Sequence, residues 1–113
     1  MTPTLDPALA VDGIDEFLTN LPYSLGFVPG RVLSGTGETV HLHCTDAEGE
    51  WMITLSPSGF DWTHGHGKGT VAIRGTAGDL FLLLYRRVAP SPERFEIFGE
   101  RSVLEGLLEK TSF

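Results

Sequence analysis

Cysteine and basic residues are the scarce components of this sequence of 113 residues. The single cysteine, Cys44, excludes an internal disulfide and a metal site built from several cysteines. Only 8 Lys and Arg stand against 15 Asp and Glu, which gives a formal net charge of -7. Because attraction to phosphate requires clustered cations, this balance argues against binding of nucleic acid and against electrostatic docking on an anionic membrane.

Long apolar runs are also absent. No stretch reaches the roughly 18 apolar residues that a membrane-spanning helix requires. The first 17 residues carry acids where a signal peptide would carry Lys or Arg. We therefore expect a soluble, cytoplasmic protein. With 41% hydrophobic and 20% charged residues, the composition is typical of a folded chain, and we expect residues 1–113 to form one domain.

The first predicted element is an amphipathic helix of about four turns. Asp6 is a favourable N-cap and Pro7 occupies the preferred first helical position. Apolar side chains then recur at helical spacing, with Asp12, Asp15, Glu16 and Thr19 on the other face. Pro22 is expected to end the helix. The apolar positions are Pro7, Ala10, Val11, Ile14, Phe17, Leu18 and Leu21.

Residues 22–37 are rich in Gly and Pro and predict a long connection. This connection is unusually apolar, since it contains Tyr23, Leu25, Phe27, Val28 and Leu33. The favoured interpretation is that these side chains close the edge of the core. A lid over an apolar cavity and a contact between two copies of the chain are the alternatives.

Four segments after residue 38 alternate apolar and polar residues with period two, which predicts an antiparallel meander with one buried face. On this register His41 and His43 lie on the opposite, solvated face. The glycine-rich HGHGKG segment predicts a hairpin turn, because it lacks the GK[ST] ending of a phosphate-binding loop. The residues expected on the helix-covered face are Val40, Leu42, Cys44, Trp51, Ile53, Leu55, Val71 and Ile73.

A second helix is predicted after Thr76, an N-cap with Asp79 three residues later. Its segment Leu80–Tyr85 is apolar on every side, so it is either buried centrally or lines a cavity. A short strand and a helix from Glu100 complete the chain. The fold class is therefore α+β, with a mainly antiparallel sheet of about five strands and helices packed on one face.

Two His-x-His pairs are the most conspicuous candidates for a chemical site. His41 and His43 share one face of a strand, whereas His64 and His66 flank a glycine in the predicted turn. Such pairs could in principle supply metal ligands. The acids at positions 46–50 occupy a predicted turn, however, and none has a suitable spacing. We therefore interpret the imidazoles as solvated and predict no metal ligands.

No other arrangement of residues points to catalysis. Cys44 alternates with His41 and His43, which directs its thiol into the core as an inert group. The acidic residues form no convincing acid/base pair. We therefore expect neither a catalytic residue nor a cofactor, and no enzymatic activity from this chain.

Four segments of the chain resemble one known family. DPALAVDGIDEFL, TVHLHCTDAEGEWMITLSPSG, VAIRGTAGDLFLLLYRR and FEIFGERSVLEGLLE are similar to the C-terminal domain of the mycothiol-dependent maleylpyruvate isomerase family, an actinobacterial module. The resemblance extends from about Leu5 to Glu109. It implies a fold like that of sterol carrier protein 2, in which carrier relatives hold lipids in an apolar tunnel beneath the helices.

The resemblance also bears on catalysis. In the full-length isomerases, a separate N-terminal bundle of the DinB type supplies a divalent metal site and uses mycothiol. No matching His-Glu-His set occurs in this sequence, so the family's metal ligands are carried over to none of its residues. The expectation is a stand-alone chain without that bundle.

Two functional hypotheses follow, and a third, a small enzyme in its own right, is the least supported. The first is a non-catalytic module of sterol-carrier type that binds an apolar or amphipathic small molecule. The alternative is an accessory or regulatory subunit of a separately encoded, mycothiol-dependent DinB-type enzyme, or a homodimer. A cavity beneath Leu80–Tyr85 would favour the first, and a closed core the second. The predicted pocket residues are Tyr23, Leu25, Phe27, Val28, Phe81, Leu84 and Tyr85.

Overall fold

A computed structural model describes residues 6–28 and 32–111. The elements are α1 (Pro7–Gly26), β1 (Thr39–Cys44), β2 (Glu50–Ser56), β3 (Gly59–His64), β4 (Val71–Gly75), α2 (Ala77–Leu84), β5 (Glu96–Gly99) and α3 (Arg101–Lys110). The five-stranded sheet has the order β3-β2-β1-β4-β5, with β1 and β4 parallel and the other pairs antiparallel. The α+β class and the mainly antiparallel sheet are therefore confirmed.

Helix α1 begins as predicted but ends later. The Asp6 carboxylate accepts the N–H of Ala8 at 2.8 Å, yet Pro22 lies inside the helix, which continues to Gly26. The prediction that Pro22 ends it is wrong, although an internal proline costs about 3 kcal/mol. Leu21 and Leu25 are both buried, and each contributes about 1.5–3 kcal/mol, which offsets that cost.

Helices α2 and α3 agree with their sequence patterns. The Thr76 hydroxyl accepts the N–H of Asp79 at 3.1 Å, and the Asp46 carboxylate accepts the N–H of Ala77 at 2.8 Å. Leu80 and Leu83 are wholly buried, so α2 is the central helix of the layer. Among the helices that the structure describes, none combines the length and hydrophobicity needed to cross a bilayer. The buried leucines of α3 are Leu104, Leu107 and Leu108.

The register of the sheet is as predicted, but its connectivity is not. All eight residues expected on the helix-covered face are buried. Strand β4 pairs with β1, placing Val71 beside Val40, and it does not continue the meander beyond β3. Because β3 and β4 then point the same way, their connection must return along the length of the sheet. Residues 65–70, called the strap below, are thus a crossover and not the predicted hairpin turn.

The strap lies on the sheet face opposite the helices. It is anchored where the N–H groups of Thr39 and Thr70 donate reciprocally to each other's hydroxyls, at 3.0 and 2.9 Å. Gly69 lies so close to the sheet that an added Cβ would meet the Val71 carbonyl of β4 at 2.6 Å and the His41 Cβ of β1 at 3.1 Å. The strap covers His41, which is only 5% exposed, so the expectation that this imidazole is solvated is wrong.

A polar contact ties α1 to the sheet at the edge of the core. Trp51 of β2 is wholly buried, and its indole N–H donates to the Asp15 carboxylate at 2.7 Å. The same oxygen lies 2.7 Å from the His64 Nε2 atom at the end of β3. Asp15, which the sequence placed on the polar face of α1, therefore satisfies a buried donor of the sheet.

Substituting Asp15 should reveal the contribution of this contact. We expect Asp15→Ala to lower the free energy of unfolding by about 1–3 kcal/mol, because the Trp51 N–H loses its acceptor. Asp15→Asn keeps an acceptor oxygen and should lose less. Urea denaturation followed by tryptophan fluorescence measures both. An unchanged midpoint for Asp15→Ala would contradict this assignment.

Candidate ligand groove

A groove opens where the last turns of α1 and α2 meet the end of α3. Its volume is about 340 Å³. Small-molecule sites in proteins typically measure about 300–1,000 Å³, so the groove can hold a compact ligand. Its walls are formed by Phe17, Asn20, Leu21, Ser24, Leu84, Tyr85, Arg86 and Thr111.

The floor of the groove is apolar and preformed. Phe17, Leu21 and Leu84 are buried in the core cluster and present only their edges to the groove. The Tyr85 ring packs edge-on against Phe17 with centroids 5.0 Å apart, and tilted against Phe81 at 4.9 Å. Because Tyr85 remains 46% exposed, a large part of its ring is available to a ligand.

The rim is polar, and Arg86 is its most unusual member. Its φ of 61° places it in the left-handed region just after α2. The N–H of Arg86 donates to the Leu83 carbonyl at 3.0 Å and that of Arg87 to the Leu82 carbonyl at 2.8 Å, which is the Schellman arrangement. Glycine usually occupies this position, because a side chain there costs about 1–2 kcal/mol. Such strain often marks a functional residue.

Two of the seven predicted pocket residues, Leu84 and Tyr85, line this groove. Phe81 lies beside it through its contact with Tyr85. Tyr23 and Phe27 point to solvent outside the groove, with exposures of 73% and 86%. The longer α1 explains this, because Tyr23 lies on its outer side and Phe27 forms its C-cap.

The two remaining predicted residues lie elsewhere. Leu25 is buried and lines a second, more open groove of about 310 Å³ together with Leu33 and Phe60. Val28 is half-buried beside the end of α1. Sequence reasoning assigned Phe17 and Leu21 to the core face of α1, which is correct but incomplete. Nothing in the sequence signals the left-handed backbone of Arg86.

The environment of Cys44 does not suit a nucleophile. It is buried on the helix-covered face, as the alternation predicts. Burial, followed by the nearby charge of Asp46, raises the pKa of its thiol to about 11. The thiolate is therefore scarce at neutral pH, and the thiol is inert.

Three of the four histidines, His41, His43 and His66, form a polar cluster with Glu50 on the strap side of the sheet. Glu50 is the first residue of β2 and not part of a turn, and it pairs with His43 in the ladder. Its carboxylate lies 3.0 Å from His41 Nε2 and 2.7 Å from His66 Nδ1. The hydrogen bond from His66, helped by His41 and His43, lowers the pKa of the Glu50 carboxyl.

Sequence comparison identifies the family to which the chain belongs. Residues 8–106 match the family described as the MDMPI C-terminal domain. The chain belongs to the MDMPI C-terminal domain family. No curated protein shows significant sequence similarity to it.

Solved structures show the same fold as this MDMPI C-terminal domain at low sequence identity. The ubiquinone synthesis protein UbiJ-SCP2 is 16% identical, with a TM-score of 0.60 over 96% of this chain and 93% of that protein. Palmitated SCP2L2 from Aedes aegypti is 14% identical, with a TM-score of 0.55 over 89% and 92%. The sec-alkylsulfatase Pisa1 from Pseudomonas sp. is 16% identical, with a TM-score of 0.60 over 71% of this chain, but this match spans only 14% of the sulfatase. The SCP2-like fold implied by the resemblance is thus confirmed.

The protection of Cys44 can be tested by thiol labelling. With a pKa of about 11 in place of the ordinary 9.0, the thiolate fraction at pH 8 falls about 100-fold. We expect Ellman's reagent to react at least that much more slowly with the folded protein than with the protein unfolded in urea. Reaction of the folded protein at the unfolded rate would show that Cys44 is accessible.

Proposed function

We propose that this domain binds an amphipathic small molecule with an apolar tail and an anionic head group, and that it does so without catalysing a reaction. The observation that carries the proposal is the juxtaposition of an apolar floor with Arg86 at the rim of the same groove. The tail lies on the floor, and the head meets the guanidinium.

The apolar tail of the ligand gains most of its binding free energy from contact with the floor of the groove. Phe17, Leu21 and Leu84 are already packed, so a ligand meets a fixed surface and orders few side chains when it binds. Each methylene group that leaves water contributes about 0.8 kcal/mol. The exposed half of the Tyr85 ring adds contact area, and its hydroxyl offers a polar group at the edge.

The anionic head is favoured by Arg86 and opposed by the negative end of the α2 dipole. The dipole term is about 0.3–1 kcal/mol, whereas a hydrogen bond to a charged group contributes about 1.5–3 kcal/mol. Arg86 therefore prevails. Its planar guanidinium suits two-point binding of a carboxylate or sulfate, and Asn20 and Ser24 add polar groups along the same rim.

The structural neighbours are consistent with such a ligand. The Aedes aegypti SCP2L2 structure is of a palmitated protein, and Pisa1 is named for alkyl sulfates. Identities of 14–16% establish only the shared fold, so these names support the proposed class of ligand but do not identify the ligand of this chain. Under our proposal, the ligand of a sterol-carrier module lies in the groove at the helix ends.

Replacing Arg86 by glycine should separate binding from stability. Arg86→Gly removes the guanidinium and relieves the left-handed strain, so we expect the free energy of unfolding to rise by about 1 kcal/mol. At the same time, affinity for a fluorescent fatty acid should fall about tenfold or more, from the loss of a charge-assisted hydrogen bond. Thermal denaturation and fluorescence titration measure the two effects.

Arg87→Gln is the matched control, because Arg87 carries the same charge but lies outside the groove lining. It should leave fatty-acid affinity unchanged. A fatty alcohol of the same chain length has no anionic head, so it should bind the original chain and the Arg86→Gly variant with equal affinity. Equal losses for Arg86→Gly and Arg87→Gln would overturn the proposed role of Arg86.

A second candidate function, docking on a DinB-type enzyme or on another copy of the chain, is favoured by a different observation. Tyr23, Phe27 and Val32 are exposed apolar side chains near the end of α1, with exposures of 73%, 86% and 57%. Exposed apolar groups close together often mark protein interfaces. This surface lies outside the groove, so the two functions are compatible.

Phe27→Ser tests this surface. Because Phe27 is 86% exposed, we expect the free energy of unfolding to change by no more than about 0.5 kcal/mol. Fatty-acid affinity should also be unchanged. Sedimentation velocity, alone and with a DinB-type enzyme from the same host, should show weaker association. A variant that associates normally but binds fatty acid weakly would identify Phe27 as part of a lid.

A further inference from the structure

The sheet face beneath the strap holds a compact group of nitrogen and oxygen donors. His41, Glu50 and His66 each offer one donor atom, and these three atoms all lie within 4.8 Å of one another. His43 Nδ1 lies 3.7 Å from the same carboxylate oxygen. The cluster is on the opposite side of the sheet from the ligand groove, and neither the family assignment nor the proposed function accounts for it.

Three separate elements bring these donors together. His41 is on β1, Glu50 begins β2, and His66 is on the strap. The β1–β2 register places Glu50 directly opposite His43, and the parallel pairing of β1 with β4 draws the strap across the same face. The cluster therefore depends on how the strands pair, which explains why spacing along the chain did not reveal it.

The spacing of the donor atoms fits a small metal ion. Zinc bonds of about 2.0–2.2 Å in a tetrahedral site place neighbouring ligand atoms about 3.3 Å apart. The observed separations from Glu50 Oε1 are 3.0 Å to His41 and 2.7 Å to His66. Outward shifts of the donor atoms by a few tenths of an ångström would make room for an ion between them. His43 Nδ1 or a water molecule could complete four ligands.

The chemical types and burial of the donors also suit such an ion. Imidazole nitrogen with one carboxylate is a donor set that zinc and related transition metals accept, whereas magnesium and calcium prefer oxygen alone. His41, at 5% exposure, is held in place by its surroundings, while His66 is exposed and free to adjust.

We propose that His41, Glu50 and His66 form a binding site for a divalent transition metal ion of the zinc class, which fastens the strap to the sheet. The role is structural: the ion links β1 and β2 to a glycine-rich segment whose attachment otherwise rests on hydrogen bonds. The alternative is that Glu50 only accepts hydrogen bonds from the imidazoles.

Titration of the full chain with zinc chloride, followed by calorimetry, tests the proposal. We expect one ion per chain and a higher melting temperature that chelator reverses. His66→Ala should weaken zinc binding about tenfold or more and still fold, because His66 is exposed. His64→Ala is the matched control, since His64 contacts Asp15 and lies outside the cluster. It should retain the original affinity.

Glu50→Gln and cobalt substitution separate coordination from hydrogen bonding. Glutamine can still accept a hydrogen bond but provides no anionic ligand, so we expect zinc affinity to fall about tenfold or more. Cobalt bound to the original chain should give the intense visible absorption of a tetrahedral site. The proposal is overturned if no stoichiometric zinc binding occurs, or if cobalt shows only weak, octahedral absorption. It is also overturned if His64→Ala weakens zinc binding as much as His66→Ala does, or if Glu50→Gln retains the original zinc affinity.

Discussion

The parallel pairing of β1 with β4 is the constraint on which the rest of this structure depends. It places β4 on the side of β1 that faces away from β2, and it leaves β3 at the edge of the sheet. A chain that leaves β3 must then travel back along the sheet before it can enter β4. Residues 65–70 make that return over the face opposite the helices. Of the three glycines of this segment, Gly69 lies in direct contact with β1, where a side chain would not fit.

The positions of the helices on the other face of the sheet depend on the same strand order. With β1 and β4 adjacent at the centre, the largely apolar α2 lies over the interior of the sheet, where Leu80, Leu83 and Leu84 are buried. Helix α1 packs beside it and keeps its helical form through Pro22, because the burial of Leu21 and Leu25 together offsets the cost of the proline. The groove is the space left where these two helices end, so it is a consequence of their lengths.

The two candidate sites lie on opposite faces of one sheet and draw on different chemistry. The groove combines apolar side chains with one guanidinium, whereas the cluster combines imidazoles with one carboxylate. Membership of the MDMPI C-terminal domain family and the SCP2-like fold explain the sheet and helices that carry both. Neither the family nor the fold specifies a ligand, because function resides in particular side chains placed on a shared scaffold.

The sequence by itself determined the features that depend on neighbours along the chain. Period-two alternation predicted correctly which residues face the helices, and Asp6 and Thr76 marked the starts of α1 and α2. Tertiary structure decided which strands pair, that α1 passes through Pro22, and that His41 is buried. It also placed Glu50 against His66 and Arg86 beside Phe17. These outcomes depend on contacts between residues distant in sequence, whose free energy outweighs local preference but leaves no periodic signal in the chain.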